Sequence, residues 1–504
     1  MPSRESPHKP EPAAPPALCP RLARALLLGL LVAALPLAGC RRSAAPPLAV
    51  GRPAAADVIS AVRGANLVIC VLDAARADHL GCYGYPRPTT PNIDRLSRES
   101  VVFRQHFTCC PSTCPSTASL LTGLYSDTHR ILQRGGLAPG TFTLEQAMKR
   151  AGCRTAFFTS NPVASPDTGL GRDFDDVFPG TTPGASPKPP RASDPDRWQK
   201  PEGLSEAFDH WLRRNGNSRF FAYLHFLPPH NPYHAPETMK RKFTTRNAPP
   251  LRRGRLEFQE AAPPYGNADR FAPPQMANLY DANMLWADWG VGQVVHLLRK
   301  RGLLDNTLLI ITSDHGEAFG EHGYVFHSHA VYDEFVHIPL LMRFPGRQRL
   351  VGSVDALTST IDLVPTLCDL YGVPCPADAA QGASLVPLLE GSQDAVRDHI
   401  FSVSLGRSPT YLVRDRDWSL MLFCNGRLRA LYDLRADPQQ TVNVIADHEQ
   451  VAAAMAASLE DYAAAQGCTL AELLAPRDWG ASEVPQVELR DDVRRQIKAL
   501  GYLR

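Results

Sequence analysis

Residues 66–73 read Asn-Leu-Val-Ile-Cys-Val-Leu-Asp. Six consecutive apolar side chains, Leu67 to Leu72, are too short a run for an ordinary helix and show no polar alternation. They read as a strand buried on both faces, as in a parallel sheet. The run stops at a carboxylate, Asp73, and the pattern recurs. Thr155–Phe158 ends near Ser160-Asn161, Phe220–Phe226 runs into His230, Leu308–Thr312 runs into Asp314-His315, and Ile338–Phe344 ends in Pro-Gly. Helical spacing of apolar residues separates these runs at 93–98, 144–151, 204–213 and 285–298. Strands alternating with helices predict an α/β fold, a large mixed, mostly parallel sheet sandwiched by helices. Ligands of such sheets bind beyond the carboxyl ends of the strands, where these polar groups fall.

Outward from this core the character changes. Residues 63–398 form the predicted catalytic domain, with Pro-rich inserts near 179–201 and 235–275 that either rim a pocket or decorate the surface. Residues 399–504 form a smaller C-terminal part and tail. There, short antiparallel strands at 411–413, 419–423 and 429–432 precede a helix with Val451, Met455, Leu459 and Tyr462 on one face and Gly467 as its stop. Trp286 and Trp289 lie in a helical stretch and read as core. At the other end, Arg21 and Arg24 precede an apolar run, Ala25–Leu37, closed by Leu37-Ala38-Gly39-Cys40. The run is short of the roughly 20 apolar residues a membrane span needs, so residues 1–39 read as a signal peptide. The ending resembles a bacterial lipobox, which implies acylation of Cys40 and an exported, periplasmic or cell-surface lipoprotein. Residues 40–62, rich in Ala and Pro, read as a tether.

The composition narrows the function. The 504 residues carry 53 basic and 51 acidic side chains. Loss of residues 1–39 removes Arg4, Lys9, Arg21, Arg24, Glu5 and Glu11 and brings the formal charge to zero, so no nucleic-acid partner is expected. The 46 prolines imply long irregular loops. No cysteine spacing matches a zinc ribbon.

Three segments carry the chemistry: Asp73, the turn Thr113-Cys114-Pro115-Ser116-Thr117, and Ser313-Asp314-His315-Gly316-Glu317. Pro115 favours the first turn of a helix, which places Thr113 at or just before its cap, where unsatisfied N–H groups suit an anionic ester. Two carboxylates and an imidazole at strand ends can hold one divalent cation, which would also touch the Thr113 oxygen. Alone, Thr113 reads more readily as a simple cap, which is common; the two Asp residues and His315 shift the reading toward catalysis.

These residues sit in a specific order. Asn66–Asp73 is followed by Arg76-Ala-Asp-His-Leu-Gly-Cys-Tyr-Gly84, Thr90-Pro-Asn-Ile-Asp-Arg-Leu96, and the Pro115–Gly123 run ending Leu-Leu-Thr-Gly. His230-Asn-Pro-Tyr233, Ser313–Glu317 and Leu431-Tyr-Asp-Leu434 with Asp437-Pro438 complete it. Over roughly residues 65–445 the chain resembles the sulfatase family of the alkaline-phosphatase-like superfamily. The resemblance implies one divalent metal (Ca2+ in the family; Mn2+, Mg2+ or Zn2+ as alternatives) held by Asp73, Asp314, His315 and Thr113. It also implies an anionic ester substrate: a sulfated or phosphorylated glycan, lipid or small molecule. Departures matter. Thr113 stands where family sulfatases have the Cys that becomes formylglycine, Cys114 is one position late, and Thr117 replaces the motif's Arg. Thr159-Ser160-Asn161 replaces a Gly-Lys-Trp-His segment, and Ala74 replaces a second Asp. The pattern resembles a Thr-type subgroup, in which Thr attacks the ester directly. A group transferase acting on lipid or glycan acceptors and an inactive surface binding protein are the rival readings.

By the same resemblance His230 holds the transferred group or protonates the leaving oxygen. Arg76 either neutralises the anion or forms a structural salt bridge. Asn161, His327 and His329 are substrate-binding candidates, and His322, His327 and His329 are the candidates for a second metal, although one metal is favoured. Cys109, Cys110 and Cys114 read as a loop-bracing disulfide or inert thiols rather than a nucleophile. Cys40→Ala is expected to abolish acyl-chain labelling and detergent-phase partitioning; a variant that still partitions as a lipoprotein would contradict the lipobox.

Overall fold

A computed structural model describes residues 54–131, 136–178, 199–244, 273–327, 330–346, 350–376, 380–405, 409–423, 429–475 and 494. Cys40, His329, the signal peptide and most of both Pro-rich inserts lie outside the described residues. Among the described residues no helix is long and apolar enough to cross a membrane.

The main sheet contains β1 (Asn66–Leu72), β2 (Val101–Phe107), β3 (Arg154–Thr159), β4 (Asp176–Phe178), β5 (Phe220–Phe226) and β6 (Thr307–Ser313). After a small ribbon of β7 (Ala318–Phe319) and β8 (Val325–Phe326), it is completed by β9 (Leu340–Arg343) and β10 (Gly352–Ser359). The order is β10-β2-β9-β6-β1-β5-β3-β4. Only β9 runs against its neighbours, β2 and β6; the other pairings are parallel. The mixed, mostly parallel α/β sheet read from the sequence is therefore the fold.

The pleat explains why the β1 run had to be apolar throughout. Leu67, Ile69 and Val71 face one core, with Leu144 and Met148 from one helix and Leu363 and Leu367 from another. Val68, Cys70 and Leu72 face the opposite core, under the helices Pro201–Asn215 and Pro273–Lys300. Successive side chains of a strand point to opposite faces, so a strand covered on both sides needs apolar side chains wherever it meets the two cores.

Three elements differ from expectation. Strands β2 and β10 escape periodicity because Arg104 and Gln105 interrupt one and the exposed Asp355 interrupts the other. The tether of 40–62 ends early: Ala54–Val62 is a helix, and Val58 and Val62 sit in the core. Their four-residue spacing puts both on one helical face. In the second insert, Ala235 and Phe243 are buried against Trp286, with Trp289 half-buried beside them.

The C-terminal part is a meander of β11 (Ile400–Ser404), β12 (Thr410–Arg414), β13 (Trp418–Phe423) and β14 (Arg429–Asp433). The helix Glu449–Ala465 covers it; Met455, Leu459 and Tyr462 are buried, Val451 is half-buried, and Gly467 follows with φ +75°. One carboxylate ties this layer to the larger one: Asp127 accepts from the hydroxyls of Tyr411 and Tyr462, each at 2.8 Å. Asp127→Ala is expected to destabilise the protein by about 1–3 kcal/mol for each orphaned hydroxyl, read as a lowered denaturant midpoint. An unchanged midpoint would show that the two layers do not depend on this joint.

Candidate active site

The parallel register of β1 and β6 aligns Leu72 with Ser313, so Asp73 and Asp314 leave the sheet side by side. Each is held through one oxygen. Asp314 Oδ1 accepts the backbone N–H of Ala74 (3.0 Å) and of His315 (2.9 Å). Asp73 Oδ2 accepts Asn161 Nδ2, and His225 Nε2 lies 3.2 Å from it. The remaining oxygens, Asp73 Oδ1 and Asp314 Oδ2, have no hydrogen-bond partner among the described residues although both residues are fully buried. Unpaired buried carboxylate oxygens are costly unless a cation meets them.

The third group is His315. Its Nδ1 lies 2.9 Å from the Gly316 carbonyl oxygen, which can only accept, so Nδ1 carries the proton and Nε2 presents a lone pair. That atom lies 3.8 Å from Asp73 Oδ1 and 3.6 Å from Asp314 Oδ2. Ligand atoms of Asp73, Asp314 and His315 all fall within 4.8 Å of one another. Two orphaned oxygens and an imidazole lone pair converging without water access fit a divalent cation. The loop is sterically fixed: a Cβ on Gly316 would lie 2.1 Å from the Glu334 carbonyl oxygen.

Thr113 joins this cluster, its Oγ1 3.0 Å from His315 Nε2. It is the first residue of the helix Thr113–Thr122; the extended Ser112 is the cap, one position earlier than the spacing of Pro115 suggested. Ser112 takes that place because its carbonyl accepts the helix bond from Ser116 N–H at 3.0 Å. Ser116 Oγ donates to the Asp314 carbonyl at 2.6 Å, which moors the helix start to the Asp314-His315 loop.

Around this centre, the rings of His230 and His327 lie tilted against each other with centroids 4.7 Å apart, and the His327 centroid lies 4.5 Å from that of His315. His230 Nδ1 bonds the Asn231 carbonyl, which turns its Nε2 away from that contact. Glu317, part of the recognised motif but given no role from the sequence, is fully buried. Burial pushes its acid up to about 7, with His230 and the Tyr233 hydroxyl opposing. Burial also disfavours Asp73 ionisation, but His230 and the hydrogen-bonded His225 outweigh it and hold that acid at about 2.

Two candidates have other work. The Arg76 fork is engaged by Asp78 (2.9 and 2.8 Å), Glu321 (2.7 Å) and the Glu317 carbonyl (3.1 Å), so the salt-bridge role read for it is present. Asn161 holds Asp73 through Nδ2 and accepts Val163 N–H through Oδ1 at 2.8 Å, so it orients a carboxylate. No disulfide braces the loop: Cys109, Cys110 and Cys114 are free and buried. Burial pushes the Cys114 thiol up to about 12, which leaves it inert at neutral pH.

His225 was missed. It hides in the Phe220–Phe226 run, fully buried, 3.2 Å from Asp73 Oδ2 and 3.7 Å from Asp314 Oδ2. The signal was present, since a lone histidine near the carboxyl end of a doubly buried strand has no apolar reason to be there. Asp314→Asn is expected to remove the thermal stabilisation that a divalent ion gives the chain and to leave the chelated protein at least as stable as the parent chelated protein, because one orphaned charge is gone. A variant still stabilised by metal would contradict the site.

With this geometry in place, comparisons with known proteins become informative. The sulfatase family model matches residues 65–373, and that of the N-sulphoglucosamine sulphohydrolase C-terminal region matches residues 320–465. A multifunctional alkaline phosphatase superfamily protein, PehA of Trinickia caryophylli, is 26% identical over 79% of this chain and 93% of its own. An N-acetylglucosamine-6-O-sulfatase of Bacteroides thetaiotaomicron is 24% identical over 76% of this chain and 83% of its own. The phosphonate monoester hydrolase of Agrobacterium radiobacter shares the fold with a TM-score of 0.65, at 24% identity, over 80% of this chain and 96% of that one. The motif order, the sheet and the Asp73–Asp314–His315 cluster thus meet in one assignment: the chain belongs to the sulfatase family of ester hydrolases.

Proposed function

We propose that this protein is an exported, lipid-anchored hydrolase in which the Thr113 hydroxyl is the nucleophile toward a phosphate or sulfate ester. The single observation that carries the reading is the position of Thr113 Oγ1, 3.0 Å from His315 Nε2 and so against the Asp73–Asp314–His315 cluster. The neighbouring Cys114 does not compete. It packs with Ala118, Ile131, Val163 and Leu170 in an apolar cluster of its own, so a thiol-derived aldehyde at that position would face hydrocarbon.

A divalent cation bound here would act as a Lewis acid, lowering the proton affinity of the hydroxyl and offsetting charge on the ester oxygens. Among the described residues the nearby donors are Asp73 Oδ1, Asp314 Oδ2, Thr113 Oγ1 and His315 Nε2. Three oxygens and one imidazole match Mn2+ or Zn2+ more closely than the Ca2+ of the family pattern, which takes about 6–8 oxygen ligands. The Thr113 oxygen, its proton released to solvent, attacks phosphorus or sulfur, and the bond to the leaving oxygen breaks on the opposite side. His230, when protonated, supplies the proton to that oxygen. The N–H groups at the start of the Thr113–Thr122 helix stabilise the developing negative charge. Water then displaces Thr113 from the covalent ester and restores its hydroxyl.

That second displacement bears on the substrate. A formylglycine hydrate can expel sulfate by collapsing to an aldehyde, whereas a threonine ester has no such route and must be attacked by a second nucleophile. Phosphate esters, whose centres accept water readily in this chemistry, are therefore favoured over sulfate esters. A relative named as a phosphonate monoester hydrolase supports the same direction; one named for a sulfated sugar supports glycan esters. A membrane tether would place the site beside glycans and lipid headgroups.

Thr113→Ala is expected to lower turnover by about 10³-fold or more with the fold and metal response intact. The assay is a panel of aryl sulfate, phosphate monoester and phosphodiester, each with and without chelator. Full activity of the variant on any of them would remove Thr113 as nucleophile. A product formed only when an alcohol acceptor is added would move the reading from hydrolase to transferase.

A further inference from the structure

We propose that His225 is a positioning residue of the cation site, holding Asp73 by one oxygen so that the other faces the ion. The inference rests on the reading of Asp73, Asp314 and His315 as a cation site and adds to it the device that sets its geometry.

The register makes the contact unavoidable. Parallel pairing aligns Val71 of β1 with His225 of β5. Residues aligned in a parallel pair share a face, and Asp73 lies two positions beyond Val71, so His225 and Asp73 project to the same side. His225 Nε2 meets Asp73 Oδ2 at 3.2 Å. An ionised carboxylate only accepts, so Nε2 carries the proton in this bond. The other ring nitrogen, Nδ1, is 3.2 Å from the hydroxyl of Tyr223, a fully buried side chain two residues earlier on the same strand. Tyr223 is itself wedged against Phe157, with ring centroids 4.8 Å apart and planes within 4°. The imidazole is thus gripped at both nitrogens and cannot turn away.

Asn161 completes the arrangement by donating to the same Oδ2. With two donors on one oxygen, the carboxylate is locked about its last torsion, and Oδ1, which has no partner, is the atom left to face Asp314 Oδ2 and His315 Nε2. Partners of this kind, which orient a ligand without being one, typically contribute 10–100-fold to metal affinity.

The experiment is titration calorimetry of the full chain with Mn2+ alone, together with thermal melts in chelator. His225→Ala is expected to bind Mn2+ about 10–100-fold more weakly than the parent. His225→Gln, whose side-chain amide N–H₂ reaches the same place as Nε2, is expected to recover most of that affinity. Tyr223→Phe, which frees one nitrogen of the ring, is expected to weaken Mn2+ several-fold and provides the test should His225→Ala fail to fold. Parental affinity in His225→Ala overturns the proposal. So does a His225→Gln variant as weak as the alanine, which would make the imidazole a direct ligand or a packing element. No Mn2+ binding by the parent would overturn the cation site itself, a result distinguishable from both.

Discussion

Two carboxylates, buried side by side at the ends of adjacent parallel strands, each present an unpaired oxygen to the other. That arrangement is the constraint on which the rest of the structure depends. Like charges in a dry interior repel strongly, and neither oxygen has a donor among the described residues. The fold nonetheless fixes them there: β1 and β6 are held in register along their full length, Ala74 N–H and His315 N–H tie down one Asp314 oxygen, and Asn161 ties down one Asp73 oxygen. A protein that commits this many backbone and side-chain bonds to keeping two negative oxygens together is built to hold positive charge between them.

The loops are arranged to the same end. Ala74 adopts a left-handed conformation, φ 61°, which turns the chain sharply after Asp73 and brings its N–H onto Asp314. Gly316 leaves room for the Glu334 carbonyl that a side chain would strike. Ser116 reaches from the first turn of its helix to the Asp314 carbonyl, so the helix that starts at Thr113 is tied to the Asp314-His315 loop. Preorganisation of this kind means that little needs to rearrange when an ester arrives.

Much of this was legible in the sequence because the relevant signals were local. An apolar run that stops at an acid marks a doubly covered strand and a site at its end, and Asp73, Asp314 and His315 were read this way, whereas Thr113 was read from the helix start that Pro115 marks. What was not legible depended on partners distant in the chain. Arg76 looked equally suited to an anion or an ion pair until Asp78 and Glu321 were seen to engage it. Asn161 looked like a substrate contact because nothing in its neighbourhood predicts that it faces Asp73. His225 was concealed by the rule that found its strand: a run judged by apolarity absorbs one histidine without protest. Strands β2 and β10 were lost for the converse reason, since half-exposed positions toward one edge of the sheet break the apolar run that identifies central strands.

The proposed centre is a single coordination sphere that includes Thr113. The most direct measurement is anomalous diffraction from crystals of the Zn2+-loaded protein. The account predicts one strong peak about 2.0–2.2 Å from Asp73 Oδ1, Asp314 Oδ2, His315 Nε2 and Thr113 Oγ1 together. A peak coordinated elsewhere, or one that binds the three ligands while Thr113 turns its hydroxyl away, would contradict it.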